Sequence, residues 1–246
     1  DFRPVMTSPG GGDSRLVTPD RNLADELGRD PPANGDGVET FRTTSGQQGV
    51  YSGQFYRRLR HGAGRLQISD TGEWYEGQFI RDRPCGEGSR EFQDGGRYDG
   101  QFLDGLKHGN GRYVGPDDLK YQGQWVKGRR HGRGRQEHPH GEVYEGEYET
   151  GQMHGSGSYW FQNGAKYSGG WHTGSYHGMG WLYYPTGEAE SVWHDHGSMI
   201  ARDKPTHVGP KKGPGALQRG AAQTHAKQAL SALLPEGCRL DGLRGR

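Results

Sequence analysis

The sequence predicts an all-β fold: an elongated, curved, single-layer antiparallel meander of β-hairpins with irregular ends and a short C-terminal helix. Three observations predict it. The phrase Tyr-x-Gly-x-aromatic, followed six residues later by His-Gly-x-Gly, begins at Tyr51, Tyr75, Tyr98, Tyr121, Tyr144 and Tyr167, in steps of 24, 23, 23, 23 and 23 residues. A period this short and regular means one supersecondary unit stacked on copies of itself. Within each copy, large and small residues alternate with polar ones, the period-two signature of a strand. Finally, Gly makes up 46 of 246 residues and only 29% are hydrophobic, too few to fill a large closed core, yet 13 Tyr, 7 Phe and 6 Trp are present. A disordered Gly-rich tract would be poor in such rings.

Taken in chain order, residues 1–33 are rich in Pro, Gly, Asp and Arg without periodicity and read as an irregular arm. Residues 34–50 contain Asn34-Gly35-Asp36-Gly37, which mimics the second half of a repeat and is expected to pair with Tyr51–Phe55 as a half-repeat cap. Residues 51–188 hold the six repeats. In the fifth, Tyr144, Gly146 and Tyr148 share one face and Glu145 and Glu147 the other; Thr150-Gly151-Gln152 signals a turn, a second strand is expected from about Gly155 to Phe161, and Asn163-Gly164 signals a hairpin connection. Residues 189–201 approximate another first strand, with Trp193 in the aromatic position but Ala189 and Ser191 where Tyr and Gly are expected; this decay marks the C-terminal cap. Residues 202–223 read as a Pro/Gly/Lys linker. Across 224–235, Ala226, Leu230, Leu233 and Leu234 form a helical stripe that Thr224 starts and Pro235 ends, a docking helix; residues 236–246 are a basic tail.

A Gly between two aromatics of one face leaves room for rings to lie over the backbone. The twelve positions Tyr51, Phe55, Tyr75, Phe79, Tyr98, Phe102, Tyr121, Trp125, Tyr144, Tyr148, Tyr167 and Trp171 are therefore read as paving one side of the sheet, a groove for partners. Two strands per repeat give a rise of roughly 10 Å, so six repeats reach about 60 Å.

Chemistry is not the expectation. The repeat histidines stand about 10 Å apart at this rise, too far for shared ligation. The pairs His138/His140 and His194/His196 lack a cysteine or carboxylate framework. Gly-x-Gly lacks the Gly-Lys-Ser/Thr of a phosphate loop. No catalytic residues, cofactor or metal are predicted. Cys85 takes the place of His in the second copy, and Cys85 and Cys238 read as reduced thiols of an intracellular protein. The net charge of +1 supplies no general attraction to nucleic acid. Charge is uneven, with 8 acids and 5 bases in residues 1–50, and 9 bases against 3 acids in residues 196–246. Arg129, Arg130, Arg133 and Arg135 form the densest basic spot in the array, a candidate contact; the first two are expected in a turn and the others in a second strand. Asp1-Phe2-Arg3-Pro4 has no signal-peptide pattern, and no apolar run reaches membrane-spanning length.

The phrase Tyr-Glu-Gly-Glu-Tyr…Gly-x-x-His-Gly-x-Gly…Asn-Gly resembles the MORN repeat, and the match spans about residues 51–193. The resemblance implies an elongated hairpin array used as a non-enzymatic scaffold, with protein partners bound along its groove. Those partners would be other subunits of a large assembly, including a second such array; phospholipid association is the alternative it implies. Repeat count, flanking tails and the absence of an attached enzyme make the chain most similar to stand-alone arrays such as radial spoke head proteins of cilia and flagella. Cytoplasm, cytoskeleton and axoneme are the locations this likeness implies.

Overall fold

The computed structural model describes Pro4 and residues 32–207. Among them, sixteen strands form one antiparallel sheet. The first strand, β1 (Asn34–Arg42), pairs along its whole length with β2 (Gln48–Tyr56), placing Glu39 opposite Tyr51 and Gly35 opposite Phe55. Then follow β3 (Leu59–Ile68), β4 (Trp74–Ile80), β5 (Arg83–Glu91), β6 (Arg97–Leu103), β7 (Leu106–Val114), β8 (Lys120–Val126) and β9 (Arg129–Glu137). The sheet continues with β10 (Val143–Glu149), β11 (Gln152–Trp160), β12 (Lys166–His172), β13 (Ser175–Tyr183), β14 (Glu188–Asp195) and β15 (Ser198–Arg202). From β1 to β15 each strand neighbours the next in sequence, whereas β16 (Thr206–His207) pairs with β14. Residues 206–207 thus extend the sheet into the stretch expected to be linker. The arm over 1–33, apart from Pro4 and Pro32–Ala33, and the expected helix over 224–235 lie outside the described residues. No helix among the described residues is long and apolar enough to cross a membrane.

Each repeat is a tight hairpin. Its two turn residues both have positive φ, as at Asp104 (52°) and Gly105 (78°), or Lys127 (48°) and Gly128 (86°). That is the turn whose twist matches a right-handed hairpin. The second strand therefore begins at Gln152, three residues before the expected Gly155, because the turn at Thr150–Gly151 is only two residues long. For the same reason Arg129 and Arg130 belong to β9 and not to a turn. Asn163-Gly164 lies in a longer loop, which Phe161 N–H closes on Ala165 O (2.9 Å) and Gly164 N–H on Phe161 O (3.0 Å). Adjacent repeats are tied at the tight turns: Gly128 N–H donates to Lys107 O (2.8 Å) and Gly151 N–H to Arg130 O (2.9 Å).

A row of paired glycines runs across the sheet. It passes through Gly37, Gly53, Gly64, Gly77, Gly88, Gly100 and Gly111, continues through Gly123, Gly134, Gly146, Gly157, Gly169 and Gly180, and ends at Val192. Each repeat's Tyr lies over two of these glycines; a Cβ on Gly111 would stand 2.2 Å from Tyr98 Oη. Just past the row the ladder slips, for instance between Gly100 and Gln101. This bulge places the Gly of His-Gly-x-Gly in the left-handed region (Gly109, φ 56°), which glycine adopts without steric cost. The bulge also frees a carbonyl, to which the Tyr hydroxyl donates: Tyr51 to Gln54 O, Tyr98 to Gln101 O and Tyr144 to Glu147 O, at 2.9, 3.0 and 2.9 Å. The rings meet edge to face along the array. Tyr98 contacts Phe102 and the next repeat's Trp125 (centroids 5.0 and 5.5 Å), and Tyr121 contacts Trp125 and Tyr148 (4.9 and 5.2 Å). Each such pair contributes about 0.5–1.5 kcal/mol beyond its burial.

Cys85 is buried and disulfide-bonded. The expectation of a reduced thiol is corrected at this position.

Candidate interaction face

The two faces of the sheet differ in what they offer. All twelve residues of the predicted aromatic groove (Tyr51, Phe55, Tyr75, Phe79, Tyr98, Phe102, Tyr121, Trp125, Tyr144, Tyr148, Tyr167 and Trp171) are at most 3% exposed. They form a core and do not line an open groove. Second-strand side chains cover them: Leu66, Tyr113, Tyr159 and Leu182 pack among the rings, and cationic stems lie over the ring faces. Lys107 Nζ stands 4.5 Å from the Trp125 centroid and 4.6 Å from that of Tyr113. The Arg60 guanidinium sits 4.2 Å over Phe41 while its Nε donates to Glu39 Oε2 (2.9 Å). The expectation that these rings touch a partner directly is therefore corrected. A single-layer sheet exposing twelve large rings would lose the burial that stabilises it, so the chain covers them with its own side chains.

The opposite face is polar and open. Its central row runs across paired strands through Ser52, Arg65, Glu76, Ser89, Asp99, Arg112, Gln122, Arg135 and Glu145. Cross-strand contacts tie it together: Arg65 Nη1 to Glu76 Oε2 (3.1 Å), Ser89 Oγ to Asp99 Oδ1 (2.6 Å) and Arg135 Nη1 to Glu145 Oε2 (3.2 Å). Two shallow clefts open on this face. One is lined by Ser52, Arg65, Trp74, Glu76 and Arg97 among others, the second by Asp99, Gln101, Arg112 and Gln122 among others. Trp74 is held by the guanidinium groups of Arg65 (5.1 Å) and Arg97 (5.4 Å), and its Nε1–H donates to Glu91 Oε2 (3.1 Å).

Toward the C-terminal end the same face turns apolar. Trp181 pairs with Ser168 and Ser191, and Met179 pairs with Trp193. Met179, Trp181 and Trp193 are 56%, 40% and 48% exposed. Beside them Lys166 Nζ lies 4.9 Å from the Trp160 ring and 5.9 Å from that of Tyr183. Exposed aromatics rimmed by polar groups are what interfaces use. Sequence reasoning missed this patch because Met179 and Trp181 occupy variable positions of the repeat; their signal is the alternation that puts them opposite the Tyr face. The expectation that Trp193 takes the aromatic position of the Tyr face is corrected: Val192, not Ser191, faces Gly180, so Trp193 points to the open face.

The basic spot divides. Arg130 turns into the core face, 5.2 Å over Tyr148, and donates through Nη2 to Gly151 O (2.7 Å). Arg129 and Arg133 are exposed. Arg135 pairs with Glu137 (3.0 Å) as well as Glu145. The two histidine pairs also divide. His138 and His194 are buried, and burial depresses the pKa of both rings; His140 and His196 are exposed. The predicted docking-helix residues Ala226, Leu230, Leu233 and Leu234 lie outside the described residues.

The sequence model of the MORN repeat matches residues 51–73, 75–97, 98–120, 121–141, 144–166 and 167–189. No curated protein matches. Among solved structures, the chain is similar to the TCP domain of SAS-4 (dCPAP) of Drosophila melanogaster, solved with a proline-rich motif of Ana2 (dSTIL). That alignment has 9% identity and a TM-score of 0.34, and covers 63% of this chain and 77% of that one. It is also similar to the TCP10 domain of Danio rerio CPAP, solved with a peptide of STIL, at 13% identity and TM-score 0.32, over 68% and 99% of the two chains. At these scores neither likeness carries a partner over to this chain.

Proposed function

The chain belongs to the MORN-repeat family, a repeat scaffold, and from that premise we propose that it is a non-enzymatic subunit that seats protein partners along its open polar face. The observation that carries this reading is the division of the sheet. One face is sealed by its own rings, while the other presents shallow clefts over its N-terminal half and an exposed aromatic patch at Met179, Trp181 and Trp193 toward its C-terminal end. Interfaces draw most of their affinity from a few buried aromatic anchors, and this patch supplies them. We place the scaffold in a ciliary or flagellar axonemal complex such as the radial spoke head, with other subunits, including a second array of this kind, as partners. The support is the family membership together with six repeats and the tails that flank them.

Affinity purification of the tagged full chain from ciliated cells tests the placement. Recovery of spoke or other axonemal subunits in constant ratio is the expected result; recovery without any axonemal protein contradicts it. The alternative, phospholipid association, has less to stand on in the array, because Arg130 is buried and Arg135 is paired with two glutamates. Binding to anionic vesicles that falls with salt would favour it.

A further inference from the structure

At the C-terminal end of the array, one column of the repeat changes its chemistry. The last residue of each first strand is Tyr56, Ile80, Leu103 and Val126 in four hairpins, then Glu149, His172 and Asp195 in the next three. Beside this column runs that of the repeat histidines, including His154 and His177. His196 opens the last tight turn, with φ of 44° followed by Gly197 at 86°, so its side chain leaves the turn in a fixed direction. The 10 Å that separates equivalent residues of neighbouring repeats is thereby filled. His172 lies 5.2 Å from His154, 5.4 Å from His177 and 5.2 Å from His196, centroid to centroid, and His177 lies 4.8 Å from His196.

We propose that His177, Asp195 and His196, with the His172 ring beside them, form a binding site for a divalent metal ion of the zinc class. Asp195 Oδ1 stands 2.7 Å from His196 Nδ1 and 3.6 Å from His177 Nδ1, and the ligand atoms of these three residues all lie within 4.8 Å of one another. The His196 backbone N–H also donates to His177 Nδ1 (3.4 Å), which steers that ring toward the turn. In a tetrahedral site with metal–nitrogen bonds of about 2.0–2.1 Å, donor atoms stand roughly 3.3 Å apart and the centroids of ligating imidazoles about 5 Å apart. The observed spacings bracket both values. Two imidazoles and one carboxylate suit zinc and its Irving–Williams neighbours, whereas calcium and magnesium favour oxygen ligands. The cluster is open to solvent, with side-chain exposures of 43% for His177, 61% for Asp195 and 62% for His196, so an ion enters without opening the fold. The ligands come from β13, β14 and the β14–β15 turn. An ion there staples the seventh hairpin to the sixth, where the glycine row has ended at Val192 and all five residues of β15 are exposed.

The test is zinc titration of the full chain, produced without a polyhistidine tag and stripped with chelator. Saturation at one zinc per chain is expected, with slower hydrogen exchange across β14 and β15. His177→Ala and His196→Ala should each weaken binding by at least tenfold to a hundredfold. His131→Ala, at the equivalent histidine of an earlier repeat, should leave it unchanged, with circular dichroism confirming that every variant is folded. Absence of saturable binding, binding that survives the His177→Ala/His196→Ala pair, or equal binding of magnesium would overturn the proposal.

Discussion

In each repeat one tyrosine does three things. Its ring fills the space over two glycines, its edges meet the aromatic side chains of two repeats, and its hydroxyl satisfies the carbonyl freed by the bulge. Tyr98 donates to both Gln101 O (3.0 Å) and His108 O (3.2 Å). Tyr98→Phe therefore leaves buried acceptors without their donor and should cost about 1–3 kcal/mol in urea unfolding. Gly111→Ala pushes a methyl to within 2.2 Å of the Tyr98 hydroxyl and should cost about 1–3 kcal/mol or more, since backbone and ring must both shift. Burial pushes the phenols of Tyr51 and Tyr167 up to about 12. An unfolded Tyr ionises near 10. The neutral form is thus favoured in the fold, so this contribution is complete below pH ~10 and lost as pH rises from there toward 12. A phenolate absorbance titration should show these tyrosines ionising together with unfolding, not before it. Tyr, Gly and the following aromatic were legible in the sequence because they repeat. The role of the residue between them was not: Gln101 Oε1 accepts the Asn110 N–H (3.1 Å) across the bulge, and the slip that creates this contact follows from pairing geometry, not from residue type.

At the scale of the hairpin, the tight turns set the register. Five of the seven have Gly second, while Arg58 (φ 62°) and Asp82 (φ 69°) hold the left-handed conformation at a cost that only Gly avoids. Arg58→Gly should raise stability by about 1 kcal/mol in thermal or urea melts, and Asp82→Gly by less, since Asp82 Oδ1 accepts the Arg60 N–H (2.9 Å). At the N-terminal end Glu39 on β1 meets Arg60 on β3 with both side chains almost fully buried. Glu39→Gln removes the buried charge that faces this guanidinium and should cost on the order of 3 kcal/mol. The sequence marked Thr150-Gly151 and Asn163-Gly164 alike as turns. Only the first is the two-residue hairpin, since Asn163 belongs to a loop in which its Oδ1 accepts the Ala165 N–H (3.1 Å). The seventh hairpin was legible only as decay, and its frame sits one residue from the expected one: Glu190 and Val192, not Ala189 and Ser191, take the Tyr and Gly positions, which turns Trp193 onto the open face. Its turn at His196–Gly197 nevertheless falls 23 residues after the one at Thr173–Gly174, so the backbone keeps the period that the side chains lose.

For the whole molecule, the period predicts a long single sheet and says little about which face works. Alternation assigned the rings to one side correctly, but a ring-bearing side reads equally well as a groove or as a core. What decides is whether the chain carries its own cover, and Leu66, Lys107, Tyr113, Arg130 and Tyr159 supply it from second-strand positions that vary among repeats. The open polar face with its aromatic end is then the surface left for partners. Replacing Trp181 and Trp193 together by Ala tests that claim most directly, reading partner recovery from the native complex alongside thermal stability. Both side chains are 40% or more exposed, so the melt should move little, as for surface substitutions within about 0.5 kcal/mol. Partner recovery should fall at least tenfold, the loss of about 1.4 kcal/mol or more that truncated interface anchors produce. Undiminished recovery from an equally stable double variant would contradict the account.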